Sequence, residues 1–83
     1  MITFYGAPWC ADCNRSKRLL EEHKVAFTYI NLETDSAAAD IVVKLNGGNQ
    51  SIPTIVFDDG SILTEPNNAT LIEKLKSLSL IAA

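Results

Sequence analysis

The chain has 83 residues, of which 47% are hydrophobic and 20% are charged, and its formal net charge is −3. These values are typical of a small globular protein, so we expect one domain covering residues 1–83. The negative charge argues against a nucleic-acid-binding protein that relies on phosphate contacts. We see neither a signal-peptide pattern nor an apolar run long enough to span a membrane, which favours a protein without membrane contacts.

The first half of the chain alternates strand and helix signals. Residues 2–5 predict a first strand, which Gly6 and Pro8 end, since proline cannot donate to a strand ladder. Helix-forming residues predict a helix from about position 11 to 24, followed by a second strand at 27–31. Asp35 or Ser36 is expected to cap a second helix. One apolar stripe predicts the buried face of that helix: Ala38, Ile41, Val42 and Leu45.

The second half predicts a hairpin and a last helix. Gly47 and Gly48 end the second helix, and Pro53 opens a third strand at 54–57. Asp59–Gly60 predicts a two-residue hairpin turn before a returning strand at 62–64. Asn67 or Asn68 is expected to cap a helix whose buried face comprises Leu71, Ile72, Leu75 and Leu78. The predicted order is β-α-β-α-β-β-α, an α/β fold with a four-stranded mixed sheet and helices on both faces.

Cys10 and Cys13 are the two cysteines of the chain, and they stand three positions apart where the first helix is expected to begin. A pair at this spacing can close a small disulfide ring and open it again. Unpaired N–H groups at the helix start favour the thiolate of Cys10, whereas Cys13 lies one turn further in and should be more buried. We therefore expect Cys10 to be the nucleophile and Cys13 the resolving thiol. Such reversible thiol chemistry favours a reducing cytoplasm.

Residues beside the cysteines have two possible roles each. Asp12 carries the same charge as a Cys10 thiolate, so it disfavours the thiolate and makes the cysteine pair more reducing. Alternatively, Asp12 stabilises the first helical turn. Trp9 packs over a bound thiol or partner, or it is a partly buried aromatic under the loop. The basic residues Arg15, Lys17 and Arg18 either stabilise the thiolate or form a solvated helix face.

Metal binding is the main alternative use of a cysteine pair. A structural zinc site needs four ligands, and two cysteines with one distant His23 fall short unless two chains share a metal. We therefore expect no metal site and no bound cofactor.

Several further motifs accompany the cysteine motif: residues 46–49 (Asn-Gly-Gly-Asn), 51–54 (Ser-Ile-Pro-Thr), and 59–61 (Asp-Gly-Ser) followed by Leu63, Thr64 and Pro66. With these motifs nearly the whole chain resembles the glutaredoxin-like redoxins of the thioredoxin fold, and among them the actinobacterial mycoredoxins. The resemblance implies a cis peptide bond between Ile52 and Pro53 that faces the cysteines, with the backbone before Pro53 pairing with substrate. It also implies a thiol–disulfide oxidoreductase acting on disulfide-containing or S-thiolated proteins.

The loop after the fourth strand departs from the usual glutaredoxin pattern. Glutaredoxins present Gly-Gly-Cys-Asp there to hold glutathione, whereas residues 64–68 are Thr-Glu-Pro-Asn-Asn. Glu65 suits the carboxylates of glutathione poorly. Mycothiol carries a sugar and an inositol but no free carboxylate, so Thr64, Asn67 and Asn68 are candidate contacts for this thiol, with helix capping as the alternative role of the asparagines.

Several functional alternatives remain open. The leading hypothesis is a monomeric oxidoreductase with mycothiol as co-substrate. A redoxin reduced directly by a thioredoxin-reductase-type flavoenzyme is the second, although such proteins often carry a Trp-Ser-Gly-Phe-like segment that this chain lacks. A glutathione-dependent glutaredoxin is the third. A redox-silent adaptor with the same fold is the alternative outside the enzyme class.

Overall fold

A computed structural model describes residues 1–82. The seven elements follow the predicted order: β1 (Ile2–Gly6), α1 (Ala11–Glu22), β2 (Phe27–Asn31), α2 (Ser36–Leu45), β3 (Thr54–Val56), β4 (Ile62–Thr64) and α3 (Asn68–Ser77). Asp35 caps α2 by accepting a hydrogen bond from the Ala38 N–H at 3.0 Å. Asn67 caps α3 in the same way, accepting from the Thr70 N–H at 2.8 Å. No helix within residues 1–82 has the length and apolar character needed to cross a membrane.

The four strands form one mixed sheet in the order β2-β1-β3-β4. Strand β1 runs parallel to β2 and antiparallel to β3, and β3 pairs antiparallel with β4. Phe4 in the centre of β1 is therefore flanked by Tyr29 of β2 and Ile55 of β3. The predicted mixed sheet and thioredoxin-type topology are confirmed.

The alternation of β1 divides the core between the two sheet faces. Ile2 and Phe4 point to one face, where the core includes Leu20 of α1 and Leu71 of α3. Tyr5 points to the other face and packs against α2 in a smaller cluster. The helices therefore cover both faces, as predicted, and α1, which begins at the cysteines, packs with α3 on the same face of the sheet.

Two local predictions are wrong. Only half of the predicted α2 stripe is buried, because the small cluster on this face takes Ala38 and Val42 and leaves Ile41 44% and Leu45 38% exposed. The hairpin turn has three residues, 58–60, since the Phe57 N–H donates to the Ser61 carbonyl at 2.8 Å. Gly60 adopts a φ of 85°, which suits the left-handed last position of a three-residue turn.

Candidate active site

Cys10 lies at the junction of the β1–α1 loop and helix α1, where it is the N-cap residue. The chain reaches this position through a turn in which the Cys10 N–H donates to the Ala7 carbonyl at 3.2 Å. The Cys10 Sγ accepts a hydrogen bond from the Cys13 N–H at 3.1 Å. A backbone donor and the positive end of the helix dipole both favour negative charge on this sulfur. Cys10 is 8% exposed, so its sulfur lies just below the surface.

Cys13 occupies a different environment within the first turn of α1. Its side chain is fully buried, and burial, followed by the hydrogen bond to Cys10, raises the pKa of the Cys13 thiol from 9.0 to about 12. A thiol whose pKa is raised this far is almost entirely protonated at pH 7, which makes Cys13 a poor candidate for the first attack on a substrate disulfide. The two sulfurs are free thiols in this structure, which describes the reduced state of the pair.

The buried state of Cys13 predicts a pH dependence of stability. The reduced protein should lose free energy of unfolding as the pH rises from about 9 to about 12. In this range the unfolded thiol releases its proton while the folded thiol, whose raised pKa is about 12, retains it. Urea unfolding without oxygen, near pH 8 and near pH 10.5, tests this for wild type and Cys13→Ser. The two proteins differ by one titratable group, the Cys13 thiol, so identical pH slopes would contradict the prediction.

Gly6 is a site residue that sequence reasoning missed, since it was assigned only a strand-breaking role. A Cβ at position 6 would lie 3.0 Å from the Phe4 ring and 3.2 Å from the Cys13 Sγ. Both neighbours are fully buried, so neither can move aside into solvent. Gly6 therefore lets the last residue of β1 contact the Cys13 sulfur closely. The sequence shows a glycine directly before the cysteine loop, but it does not show that the Cys13 sulfur packs against this glycine.

The loop before β3 faces Cys10. The Ile52–Pro53 peptide bond is cis, as the family resemblance implied. The Cys10 Sγ lies 4.0 Å from the Ile52 carbonyl oxygen, so this loop and the start of α1 meet at the thiol. Trp9 is 69% exposed, so the interpretation of Trp9 as an aromatic covered by the loop is wrong. Trp9, Cys10 and Ile52 are thus brought together at one surface.

Asn46 is a second residue whose contacts the sequence did not predict, since it was named only as part of the motif at residues 46–49. Its amide nitrogen donates to the hydroxyl of buried Thr54 at 2.9 Å, and that hydroxyl donates to the Ser51 carbonyl at 2.7 Å. The Thr64 hydroxyl donates to the Asn46 side-chain oxygen at 2.6 Å. This network ties the end of α2 to β3, β4 and the loop that carries Ile52, and it engages the hydroxyl of Thr64.

The predicted thiol-binding loop lies between β4 and α3. The Asn67 side-chain oxygen is used to cap α3, whereas Asn68 is exposed at the first position of the helix. Arg15 reaches this loop from α1 and donates to the Pro66 carbonyl at 3.2 Å. Glu65 is exposed and has a φ of 50°, so its carboxylate stands at the surface of the loop.

Charged residues of α1 have partners other than Cys10. Asp12 lies in the first turn and its carboxylate is 3.6 Å from the Arg15 guanidinium. Arg15 therefore offsets part of the negative charge that Asp12 places near Cys10. The Lys17 ammonium lies 4.7 Å from the centre of the Tyr29 ring. Within residues 1–82, no three His, Cys, Asp or Glu side chains converge as a metal site would require.

Comparisons with known proteins agree with this arrangement. The sequence model of the family described as Glutaredoxin matches residues 2–62. The chain belongs to the glutaredoxin family. A Mycobacterium tuberculosis protein named as a glutaredoxin is 37% identical over 78 residues, covering 94% of this chain and 93% of that protein. Mycoredoxin 1 of Corynebacterium glutamicum is 30% identical over 78 residues, covering 94% of this chain and 96% of its own.

Solved structures show the same fold. A thioredoxin-like protein matches with a TM-score of 0.72 and 29% identity, covering 94% of this chain and 99% of the other. The NrdH-redoxin of Escherichia coli matches with a TM-score of 0.73 and 22% identity, covering 87% and 91% of the two chains. Glutaredoxins are generally thiol–disulfide oxidoreductases, and the Cys10–Cys13 pair has the placement that such chemistry needs.

Proposed function

We propose that this glutaredoxin-family protein reduces mixed disulfides through Cys10 and Cys13, with mycothiol as its low-molecular-weight thiol. The observation that carries the redox step is the contrast between the two sulfurs. Cys10 is near the surface and accepts a backbone hydrogen bond, whereas Cys13 is fully buried with a pKa of about 12. This contrast suits one attacking and one resolving thiol.

The proposed reduction can follow two routes of thiol–disulfide exchange. In the first, the Cys10 thiolate attacks the mycothiol sulfur of an S-thiolated protein, the protein thiolate leaves, and a second mycothiol thiolate releases mycothiol disulfide and regenerates Cys10. In the second, the Cys10 thiolate attacks a protein disulfide, and Cys13 gives up its proton as it attacks the Cys10 Sγ. The reduced substrate then leaves and a Cys10–Cys13 disulfide remains, which an external thiol or reductase must reduce.

Support for mycothiol comes from the loop between β4 and α3 and from the relatives. Glu65 and the exposed Asn68 give this loop an acidic and polar surface, which suits hydroxyl groups better than the carboxylates of glutathione. A protein named mycoredoxin aligns with 94% of this chain. Trp9, Ile52 and Pro53 are proposed to contact the substrate beside Cys10, with Thr64 and Asn67 shaping the loop that contacts the thiol.

Direct reduction by a thioredoxin-reductase-type flavoenzyme is the second candidate. A glutaredoxin-like NrdH protein of Lactococcus lactis is 32% identical over 59 residues, covering 71% of this chain and 79% of that protein. The proposed setting for either route is the reducing cytoplasm, where the protein acts as a monomer on protein disulfides.

One assay distinguishes the candidate electron donors. A model peptide is prepared as a mixed disulfide with mycothiol and, separately, with glutathione, and each is supplied with its matching thiol and reductase. We expect kcat/KM to be at least about 10-fold higher for the mycothiol pair. Repulsion of this size corresponds to roughly two pairs of like charges at the protein surface, which the carboxylates of glutathione would bring to the acidic loop. Equal rates or a glutathione preference would refute mycothiol specificity. Turnover with thioredoxin reductase and NADPH alone would favour the second candidate.

A further inference from the structure

A groove of about 370 Å³ lies beside the nucleophile. Its walls come from the loop after β1, the loop after β2 and the loop before β3. The lining residues are Ala7, Trp9, Leu32, Glu33, Gln50 and Ile52. Trp9 is next to Cys10 in the chain, and the Ile52 carbonyl oxygen is 4.0 Å from the Cys10 Sγ. Whatever occupies this groove therefore lies beside the disulfide under attack.

Glu33 supplies the charge of this groove. It is the one charged residue among the lining residues within positions 1–82, and its exposed carboxylate forms no salt bridge with another described residue. The backbone around Glu33 is fixed, because its N–H donates to the Asn31 side-chain oxygen at 2.9 Å. The preceding Leu32 N–H donates to the Gly6 carbonyl at 3.0 Å. The turn thus places the backbone of Glu33 at the edge of the groove, from which its side chain extends.

We infer that this groove binds a lysine or arginine side chain next to the disulfide-bonded cysteine of a protein substrate, and that Glu33 determines this preference. The inference rests on the proposed function and specifies its substrate class. The exposed face of Trp9 offers a cation–π contact to the charged end, and Glu33 offers the opposite charge. Leu32 and Ile52 pack against the aliphatic stem of the same side chain.

The same charge disfavours an acidic residue at this substrate position. A carboxylate placed about 6 Å from Glu33 in water meets a repulsion that changes the rate about 3-fold, and a cation gains a similar factor. Together these effects separate otherwise identical basic and acidic substrates about 10-fold at low ionic strength. Salt should reduce this factor, since both charges are exposed.

A single-turnover experiment with the reduced protein tests the inference without any added low-molecular-weight thiol. Three peptides carry one cysteine as a disulfide with 2-mercaptoethanol and differ at the preceding residue, which is Lys, Gln or Glu. The Cys10 thiolate attacks the peptide sulfur and 2-mercaptoethanol leaves. Cys13 then releases the peptide thiol, so two electrons pass from the dithiol to the substrate. The rates are measured by quenching and mass spectrometry.

The wild type should favour the Lys peptide over the Glu peptide, and Glu33→Gln should lower this rate ratio about 10-fold. Glu73→Gln is the matched control, because it removes the same charge from α3 outside the groove, and it should keep the wild-type ratio. An unchanged ratio in Glu33→Gln, or an equal fall in Glu73→Gln, would overturn the inference while leaving the oxidoreductase intact. If the wild type reduces none of the peptides, the proposed function fails and the inference fails with it.

Discussion

The Cys10→Ser variant is expected to lose all measurable turnover, whereas Cys13→Ser is expected to keep most of its activity on S-thiolated substrates. Cys10, which we propose as the nucleophile, is 8% exposed, and its Sγ accepts a hydrogen bond from the Cys13 N–H at 3.1 Å. Cys13 is fully buried and its pKa is raised to about 12, which makes its thiol a poor substitute for Cys10 in the first attack. We expect a loss of at least about 1000-fold in kcat/KM for Cys10→Ser, and of less than about 10-fold for Cys13→Ser.

The substrate decides whether Cys13 is needed. Release of a peptide attached to Cys10 requires Cys13 when no external thiol is present, so Cys13→Ser should stop at the mixed disulfide with a protein-disulfide substrate. Mass spectrometry of the trapped Cys10 adduct measures this directly. If Cys13→Ser also loses activity on S-thiolated substrates supplied with excess thiol, the route in which the external thiol resolves Cys10 is wrong. If Cys10→Ser retains turnover, the assignment of the nucleophile is wrong.

The sequence predicted features that depend on local patterns. The cysteine spacing and the helix that follows it are local, and so are the caps at Asp35 and Asn67, because a capping side chain bonds to the backbone three positions ahead. The mixed sheet was also predictable, since a strand–helix–strand unit pairs parallel and a hairpin pairs antiparallel. These features sufficed to place Cys10 at the start of α1 and Cys13 one turn inside it.

Features that depend on distant partners were not predictable in this way. Asn46 bonds to Thr54 and Thr64, which are 8 and 18 positions away, and neither pairing leaves a spacing signal. The apolar stripe of α2 gave the correct helix but the wrong burial, because periodicity cannot show how much surface the opposite sheet face covers. Trp9 and Glu33 border one groove only because three separate loops meet beside the thiol.

The Asn46 network and the groove are connected through the loop that carries Ile52. The network holds the Ser51 carbonyl and Thr54 on either side of the loop that carries Ile52. That loop forms one wall of the groove and also approaches the Cys10 sulfur. On the proposal that this groove binds substrate, the Asn46 network helps to set the position of the substrate relative to Cys10.

Gly6→Ala is expected to destabilise the protein and to slow the step that depends on Cys13. The added methyl would lie 3.0 Å from the Phe4 ring and 3.2 Å from the Cys13 Sγ, so the buried sulfur must shift. Overpacking of this kind typically costs about 1–3 kcal/mol of unfolding free energy. Gly6 is not among the residues with positive φ, so alanine has no backbone penalty there and the effect is purely steric.

Gly47→Ala is the matched control, because it adds the same methyl where no atom lies within 4 Å but where φ is 66°. It should cost about 1–2 kcal/mol through the left-handed backbone and leave disulfide exchange unchanged. Urea unfolding measures the stability of both variants, and the rate of peptide release from Cys10 measures the action of Cys13. Release in Gly6→Ala should be slower than in Gly47→Ala even when both proteins are fully folded. Equal release rates would show that the contact between Gly6 and Cys13 matters for packing alone.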